Sequence, residues 1–274
     1  MNQKQAVTTL EKKIGSSKAP KAKKPVSPKR FIESPKYMNA KGILYPVILK
    51  ELNELILGGY SEAVLTGGIG CGKTTLALYC MAYQLYLLSC MEDPHGAYGL
   101  DPSSEIVIFF QSVNADLAKN VDFRRFKEVI DRAPYFLKEF RHISSTESEL
   151  RFPKHIVVRS LTGSANSALG QNLHSGIVDE VNFMANRYRS KLAVDGGSYN
   201  QAEKIYDSIT NRRKSRFMRE GRLGGVLCLV SSKRYPGEFT EQKITEASAQ
   251  ATNLETCSNP IYVFDKRAWE VKPK

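Results

Sequence analysis

Eight consecutive residues carry the strongest chemical signal in the chain: Gly67-Gly-Ile-Gly-Cys-Gly-Lys-Thr74 has the spacing G-x-x-x-x-G-K-[ST]. Glycines serve such a loop because the backbone must bend around phosphate oxygens and approach them without a Cβ in the way. The amides of Gly70, Cys71, Gly72, Lys73 and Thr74 would point at the α- and β-phosphates, helped by the N-terminus of a following helix. Lys73 would reach β- and γ-oxygens, and the Thr74 hydroxyl would ligate Mg²⁺. The whole cradle runs through Gly67, Gly68, Ile69, Gly70, Cys71, Gly72, Lys73, Thr74 and Thr75. A chance glycine-rich turn is the competing reading, and the strand expected before the loop and the helix expected after it weigh against that.

Phosphate chemistry needs a second element to hold the metal and act on water. Ser175-Gly-Ile-Val-Asp179-Glu180 is an apolar strand ending in two acids. Asp179 would hold the Mg²⁺ shell, and Glu180 would orient or deprotonate the attacking water. Two acids at a strand end are also an ordinary cap, so this reading leans on the upstream loop. An acid directly after the metal-holding aspartate points to a hydrolase with its catalytic glutamate on the strand, rather than to a nucleotide kinase or a switch GTPase. No Asn-Lys-x-Asp guanine signature is present. A third strand, Gly225-Val-Leu-Cys-Leu-Val230, ends in Ser231-Ser232-Lys233, whose hydroxyls could sense a γ-phosphate or simply be a polar strand end.

The elements that must carry these groups follow from periodicity. Apolar residues at helical spacing from Leu44 to Ile56 predict a helix over 43–57 stopped by Gly58-Gly59, followed by a short buried strand over 62–66. A long apolar helix is predicted over 74–91. Strands are expected over 105–110 and 176–179, a helix over 113–132 broken by Pro134, and a hairpin over 149–152 and 155–159. Residues 161–175, rich in Ser, Gly, Asn and Ala, read as loop, and a helix is expected over 201–219. The alternation is that of an α/β fold with a mainly parallel central sheet flanked by helices.

Composition sets the outer bounds. The chain has 274 residues, 42% of them hydrophobic and 25% charged, with a net charge of +12. It is long enough to bury a large core without disulfide or metal staples. Five cysteines, Cys71, Cys80, Cys90, Cys228 and Cys257, form no C-x-x-C pair, and no secretory segment follows Met1, which fits a reducing, cytosolic setting. His95, His142, His155 and His174 lack metal-ligand spacing. The basic excess is concentrated at the start: residues 1–36 hold ten Lys/Arg against Glu11 and Glu33. Residues 1–38 therefore read as an unfolded basic arm, either a solvated tail or a contact to nucleic acid or an acidic partner. Residues 39–236 read as the ATPase core, and 237–274 as a small C-terminal lid and linker segment.

With these three motifs in this order, the chain resembles the ATPase domain of the large terminase subunit, the DNA-packaging motor of tailed bacteriophages. The likeness covers about residues 40–270 and rests on Tyr60-Ser-Glu-Ala-Val-Leu-Thr-Gly-Gly-Ile-Gly-Cys-Gly-Lys-Thr-Thr75, the run Gly163 to Glu180, Ser215-Arg-Phe217, and Ser231-Ser232. It implies a P-loop NTPase of the ASCE type that binds ATP and Mg²⁺ and moves double-stranded DNA into a procapsid in the cytoplasm of an infected bacterium. It implies a ring of subunits working with a small terminase subunit and a portal. Lys73, Thr74, Asp179 and Glu180 then keep the roles given above, Ser231 and Ser232 couple hydrolysis to motion, and Leu44-Tyr45-Pro46 lie near the adenine.

Two departures qualify the resemblance. Many relatives carry an arginine inside the P-loop, where this chain has Gly68 and Ile69, so Arg124, Arg125, Arg212, Arg213 and Arg216 become the candidates for a charge-stabilising arginine. Arg212, Arg216 and Arg219 would share a helix face, which equally fits solvation or DNA phosphate contact. Large terminases also carry a C-terminal nuclease domain, and only about forty residues follow Ser232. The nuclease would then be either cut off from this chain or a separate chain, and the ending Ala268-Trp269-Glu270-Val271, which reads as a connection toward that domain, favours the first, so no nuclease activity is expected. A RecA-like helicase or transposition ATPase, and a non-motor nucleotide-binding module, remain open alternatives.

Overall fold

Strands of β-branched and aromatic residues alternate with helices along the chain, and a computed structural model shows how they assemble. The structure describes residues 23–112, 118–161, 170–184, 188–189, 198–251 and 257–272. In chain order the helices are α1 (Pro28–Glu33), α2 (Pro46–Leu57), α3 (Lys73–Cys90), α4 (Pro94–Tyr98), α5 (Arg124–Arg132), α6 (Pro134–Lys138), α7 (Gln201–Phe217), α8 (Phe239–Gln250) and α9 (Ala268–Val271). The strands are β1 (Glu62–Gly67), β2 (Ile106–Gln111), β3 (Ser144–Ser145), β4 (Glu149–Phe152), β5 (Ile156–Ser160), β6 (Asn172–Asp179), β7 (Tyr188–Arg189), β8 (Ser198–Tyr199), β9 (Met218–Arg219), β10 (Arg222–Leu223), β11 (Leu227–Val230) and β12 (Ile261–Lys266).

Eight strands form one sheet in the order β12-β1-β11-β6-β2-β5-β4-β3, parallel from β12 through β5 and antiparallel for the last two pairings. The four strands β1, β2, β6 and β11 are buried almost throughout, as a sheet covered by helices on both faces requires. Register places Leu65 opposite Val230, and Val230 opposite Asp179, so the phosphate loop, the two acids and Ser231 all leave the sheet at the same edge. That edge, outside the carboxyl ends of parallel strands, is where open α/β sheets hold ligands.

Helix α3 is buried on nearly every side, which is why its sequence is apolar all round and shows no polar stripe. Among the described residues no helix is long and apolar enough to cross a membrane. Pro46 opens α2 at the first helical position, three residues later than the periodicity began, because a proline preorganises that turn. Strand β6 begins at Asn172, inside the stretch read as loop, while residues 162–169 of that stretch lie outside the described residues.

Two segments differ from expectation. Of the basic arm, residues 1–22 lie outside the described residues, but from Val26 onward the chain is packed. Tyr83 donates to the Val26 carbonyl at 2.6 Å, the Val26 amide donates to Tyr86 at 3.0 Å, and Phe31 stacks on Tyr86 with ring centroids 4.6 Å apart. Phe31 and Ile32 are fully buried beneath α3, and each such side chain contributes about 2 kcal/mol of transfer free energy. Apolar residues spaced among the lysines outweigh the charge. The second segment is 237–274: instead of a lid and linker it supplies α8 and β12, with β12 pairing along the whole of β1.

The opposite edge of the sheet holds a polar core. Arg213 is fully buried and donates to the carbonyls of Ser61, His174 and Gly224, each at 3.1 Å. His174, buried beside it, has Nε2 3.3 Å from the Tyr98 hydroxyl and Nδ1 2.9 Å from Ser175 Oγ. Burial, followed by the nearby Arg213 charge, pushes the His174 imidazole down to about 3. The unfolded imidazole protonates near pH 6.5 while the folded one stays neutral, so the unfolded chain binds more protons below that pH. Stability is expected to fall by up to about 1.4 kcal/mol per pH unit between pH 6.5 and 3, and His174→Gln to flatten that slope in urea denaturation.

Candidate nucleotide-binding site

The loop between β1 and α3 is built from positive-φ glycines. Gly67 (φ 106°) leaves β1 so close to β12 that a Cβ would lie 2.2 Å from the Lys266 carbonyl oxygen. Gly72 (φ 86°) sits under Ile48 of α2 and starts α3 in a left-handed conformation. An alanine at either position would be strained and would displace a neighbouring segment. Cys71 points into the core, with Sγ 3.9 Å from the Thr66 carbonyl, so only its backbone can serve a phosphate. Lys73 Nζ donates to the carbonyls of Gly67 (3.2 Å) and Gly68 (2.9 Å) and to Ser232 Oγ (3.3 Å), folding back over the mouth of the loop.

Asp179 ends β6 and Glu180 follows in the left-handed region (φ 56°, ψ 39°). For a non-glycine residue this is strained backbone, of the kind that persists where surrounding structure over-determines it. Its amide donates to Asp179 Oδ1 at 3.0 Å, and its Oε2 accepts from Ser231 Oγ at 3.5 Å. Burial raises the Glu180 carboxyl above its usual range, the Asp179 charge adds to this, and Lys73 opposes it. Burial is also the largest cause of the raised Asp179 carboxyl, against which Lys73 and Arg125 act.

A cavity of about 720 Å³ connects these groups. It is lined by Gly67 through Thr75, by the apolar or aromatic side chains Ile43, Leu44, Tyr45, Ile48 and Phe183, and by Arg125, Glu180, Ser232, Lys233 and Arg234. A lining that combines apolar side chains with charged groups suits a ligand with an apolar base and a polyanionic tail. The structure thus brings Lys73, Thr74, Thr75, Glu180 and Ser232 around one space, with Asp179 and Ser231 touching Glu180 from behind.

Of the five candidate arginines, Arg125 lines the cavity. Arg124 faces outward beside Glu128, at 3.7 Å. Arg213 is locked in the polar core at the far edge of the sheet, so a charge-stabilising role for it is excluded by its three carbonyl partners. Neither Arg212 nor Arg216 lines the cavity.

Three residues here went unread in the sequence. Arg234 lies 4.2 Å above the Phe183 ring and lines the cavity. Asn182, two residues beyond Glu180, is buried among polar partners. Asp122 lies in a π-helical turn, Ala118–Phe123, inside the stretch read as plain helix; residues 113–117 before it lie outside the described residues. π-turns recur at functional sites, and Asp122 is buried with Oδ1 lacking any hydrogen-bond partner. Its carboxyl shares a hydrogen bond with Asp179, and burial together with the Asp179 charge raises it strongly.

Among the described residues no group of three His, Cys, Asp or Glu is arranged to enclose a metal by itself. Mg²⁺ does not need one, since it takes one or two carboxylates and fills its remaining positions with phosphate oxygens and water. Two abutting carboxyls, one with an orphaned oxygen, are donors of that kind, and Thr74 in the cavity lining offers a hydroxyl.

Residues 37–274 match the family described as "Uncharacterized protein MJ0330, N-terminal P-loop domain". The chain belongs to that family. The match spans the Gly67–Thr74 loop and every element of the sheet. No curated protein matches the chain. Similar solved structures include the large terminase of bacteriophage HK97, at 13% identity and TM-score 0.49, covering 96% of this chain and 43% of that one. A large terminase from a thermophilic bacteriophage, in complex with ATP-gamma-S, has 12% identity and TM-score 0.49, with coverage of 83% and 46%. A mutant ATPase domain of the Thermus phage P74-26 large terminase has 12% identity and TM-score 0.44, covering 77% of each chain. The MJ0330-family chain thus spans less than half the length of the first two terminases.

Proposed function

We propose that this P-loop domain is a Mg²⁺-dependent ATPase, and that its hydrolysis drives movement of double-stranded DNA in the manner of a large terminase. The observation that carries the ATPase reading is the convergence of Lys73 and Glu180 on one cavity lined by the Gly67–Thr75 loop. The motor reading rests on the order and wording of the sequence motifs, from the P-loop to Ser231-Ser232. A ring of such subunits, a small terminase subunit and a portal, met in the cytoplasm of an infected bacterium, are the partners this reading calls for.

The chain's own groups account for the chemistry. Phosphate oxygens entering the loop replace the Gly67 and Gly68 carbonyls as partners of Lys73, and the amides at the start of α3 complete the cradle. Tyr45, Leu44 and Ile48 offer apolar side chains to adenine. Glu180 orients a water toward the γ-phosphorus and takes its proton as the bond to the β-γ bridging oxygen breaks, releasing ADP and phosphate. A carboxyl raised by burial is suited to accept that proton near neutral pH. Mg²⁺ held by Thr74 and Asp179 would supply charge neutralisation on the β- and γ-oxygens. Arg125 and Arg234 add positive charge to the cavity lining.

Asp122 belongs to this arrangement through Asp179. Asp122→Asn keeps the side chain's shape but removes a carboxyl whose proton, held by burial and the Asp179 charge, can be released as Mg²⁺ binds, and the Mg²⁺ concentration for half-maximal ATP binding is expected to rise about tenfold or more. Fluorescent-nucleotide titration against Mg²⁺ checks this, and an unchanged Mg²⁺ requirement would remove Asp122 from the site.

The motor reading is tested by ATP turnover with linear duplex DNA, with forked DNA, and without DNA. Stimulation by linear duplex with no strand separation is expected. Unwinding of the fork would make the protein a helicase, and tight ATP binding with turnover indifferent to Glu180 would make it a nucleotide-binding module.

A further inference from the structure

One buried side chain ties together the segments on which the site depends. Asn182 lies in the short turn Val181–Phe183 directly after Glu180. Its Nδ2 donates to the Ser232 carbonyl at 3.1 Å and to Thr240 Oγ1 at 2.9 Å, and its Oδ1 accepts from the Thr240 amide at 3.2 Å. Its own amide donates to Ser231 Oγ at 3.2 Å. Ser231 Oγ reaches Glu180, and Ser232 Oγ accepts from Lys73. Thr240, fully buried, stands in the first turn of α8, whose N-cap residue Glu238 makes no side-chain cap. Asn182 thus satisfies one of the amide donors that the helix start leaves open.

We infer that Asn182 is a positioning residue that holds Glu180 in its left-handed conformation and transmits the occupancy of the phosphate site to α8. This rests on the ATPase reading given above. Both amide hydrogens of the side chain are committed, one to the Ser231-Ser232 segment and one to α8, so a shift of Ser232 cannot leave Thr240 undisturbed. A buried, satisfied network of this kind moves between discrete arrangements rather than deforming gradually. Lys73 is its input, because the contact that Lys73 makes with Ser232 competes with phosphate. Helix α8, packed against β12 and joined to the Asn182 side chain by both Thr240 hydrogen bonds, is its output.

The test compares the wild-type chain with Asn182→Ala, Thr240→Val and Thr240→Ser. It reads kcat, the dissociation constant for ATP-gamma-S, thermal stability, and amide hydrogen exchange over 239–244 with and without ATP-gamma-S. The wild type is expected to show slower exchange in that segment when nucleotide is bound. Asn182→Ala and Thr240→Val are expected to lose this response and to lower kcat by about tenfold or more, with nucleotide affinity within about threefold of wild type. Thr240→Ser, which keeps the hydroxyl, should restore both. A merely structural cap would move thermal stability alone, and wild-type kcat and exchange response in folded Thr240→Val would overturn the inference. If the wild type binds nucleotide without hydrolysing it, the ATPase reading fails, and the exchange comparison still decides for or against the relay.

Discussion

Glu180→Gln is expected to bind ATP with wild-type affinity and to turn it over at least about 100-fold more slowly, the scale of losing a general base. The substitution preserves the side chain's shape and can still meet Ser231 Oγ, so the strained turn at Glu180 is kept. What it removes is the capacity to take a proton from water. Its amide also relieves the repulsion with Asp179 that helps raise the Glu180 carboxyl, so folding stability should stay level or rise slightly. The pairing of unchanged binding with lost turnover separates this role from a structural one. Steady-state phosphate release beside a nucleotide titration reads both.

Lys73→Ala is expected to fail earlier in the cycle. Lys73 is buried at the mouth of the loop, and in the absence of phosphate its ammonium is satisfied by two backbone carbonyls and a serine hydroxyl. Truncation leaves those carbonyls facing the cavity and takes away the point charge that would meet the β- and γ-oxygens. Charge-assisted contacts of this kind are worth about twice a neutral hydrogen bond, so ATP affinity should fall about tenfold or more and turnover below detection. Calorimetric titration with ATP and Mg²⁺ gives the affinity, and wild-type affinity in the variant would place the phosphates elsewhere.

The contrast between these two residues and the ones the structure added shows what a sequence can and cannot display. Gly67–Thr74 is local: its chemistry depends on backbone conformation within eight residues, so spacing alone exposes it. Asp179 and Glu180 are nearly local, because a strand's end is visible in its own apolar run. Asp122, Asn182 and Arg234 matter only through partners brought to them by the sheet order, and a lone polar residue in a helix or loop carries no pattern that marks such a meeting. The strands of the central sheet were legible because burial on both faces makes them continuous apolar runs. Strand β12 was not, since it follows Pro260 and mixes Asp265 and Lys266 into its exposed end at the sheet's edge. Helix α1 was masked by composition: six lysines and arginines between residues 23 and 41 dominate any average, while the folding free energy comes from Val26, Phe31, Ile32 and Met38.

The arginine candidates make the same point from the other side. Arg212, Arg213 and Arg216 are close in sequence, yet Arg213 alone turns inward, because the carbonyls of Ser61, His174 and Gly224 converge there and need a donor. Burial lowers its guanidinium toward about 10, still charged at neutral pH, with Glu62 nearby as the main opposing influence. Its role is to close the end of the sheet away from the cavity.

The central claim is that the cavity at the carboxyl edge of the sheet hydrolyses ATP. The most direct measurement is the rate of phosphate release from Mg²⁺·ATP by the full chain, in the presence of linear duplex DNA, beside Glu180→Gln shown to bind the same nucleotide. Release by the wild type that is lost in Glu180→Gln at undiminished binding is the predicted result. Equal release by both proteins, or bound ATP left intact by both, would contradict it.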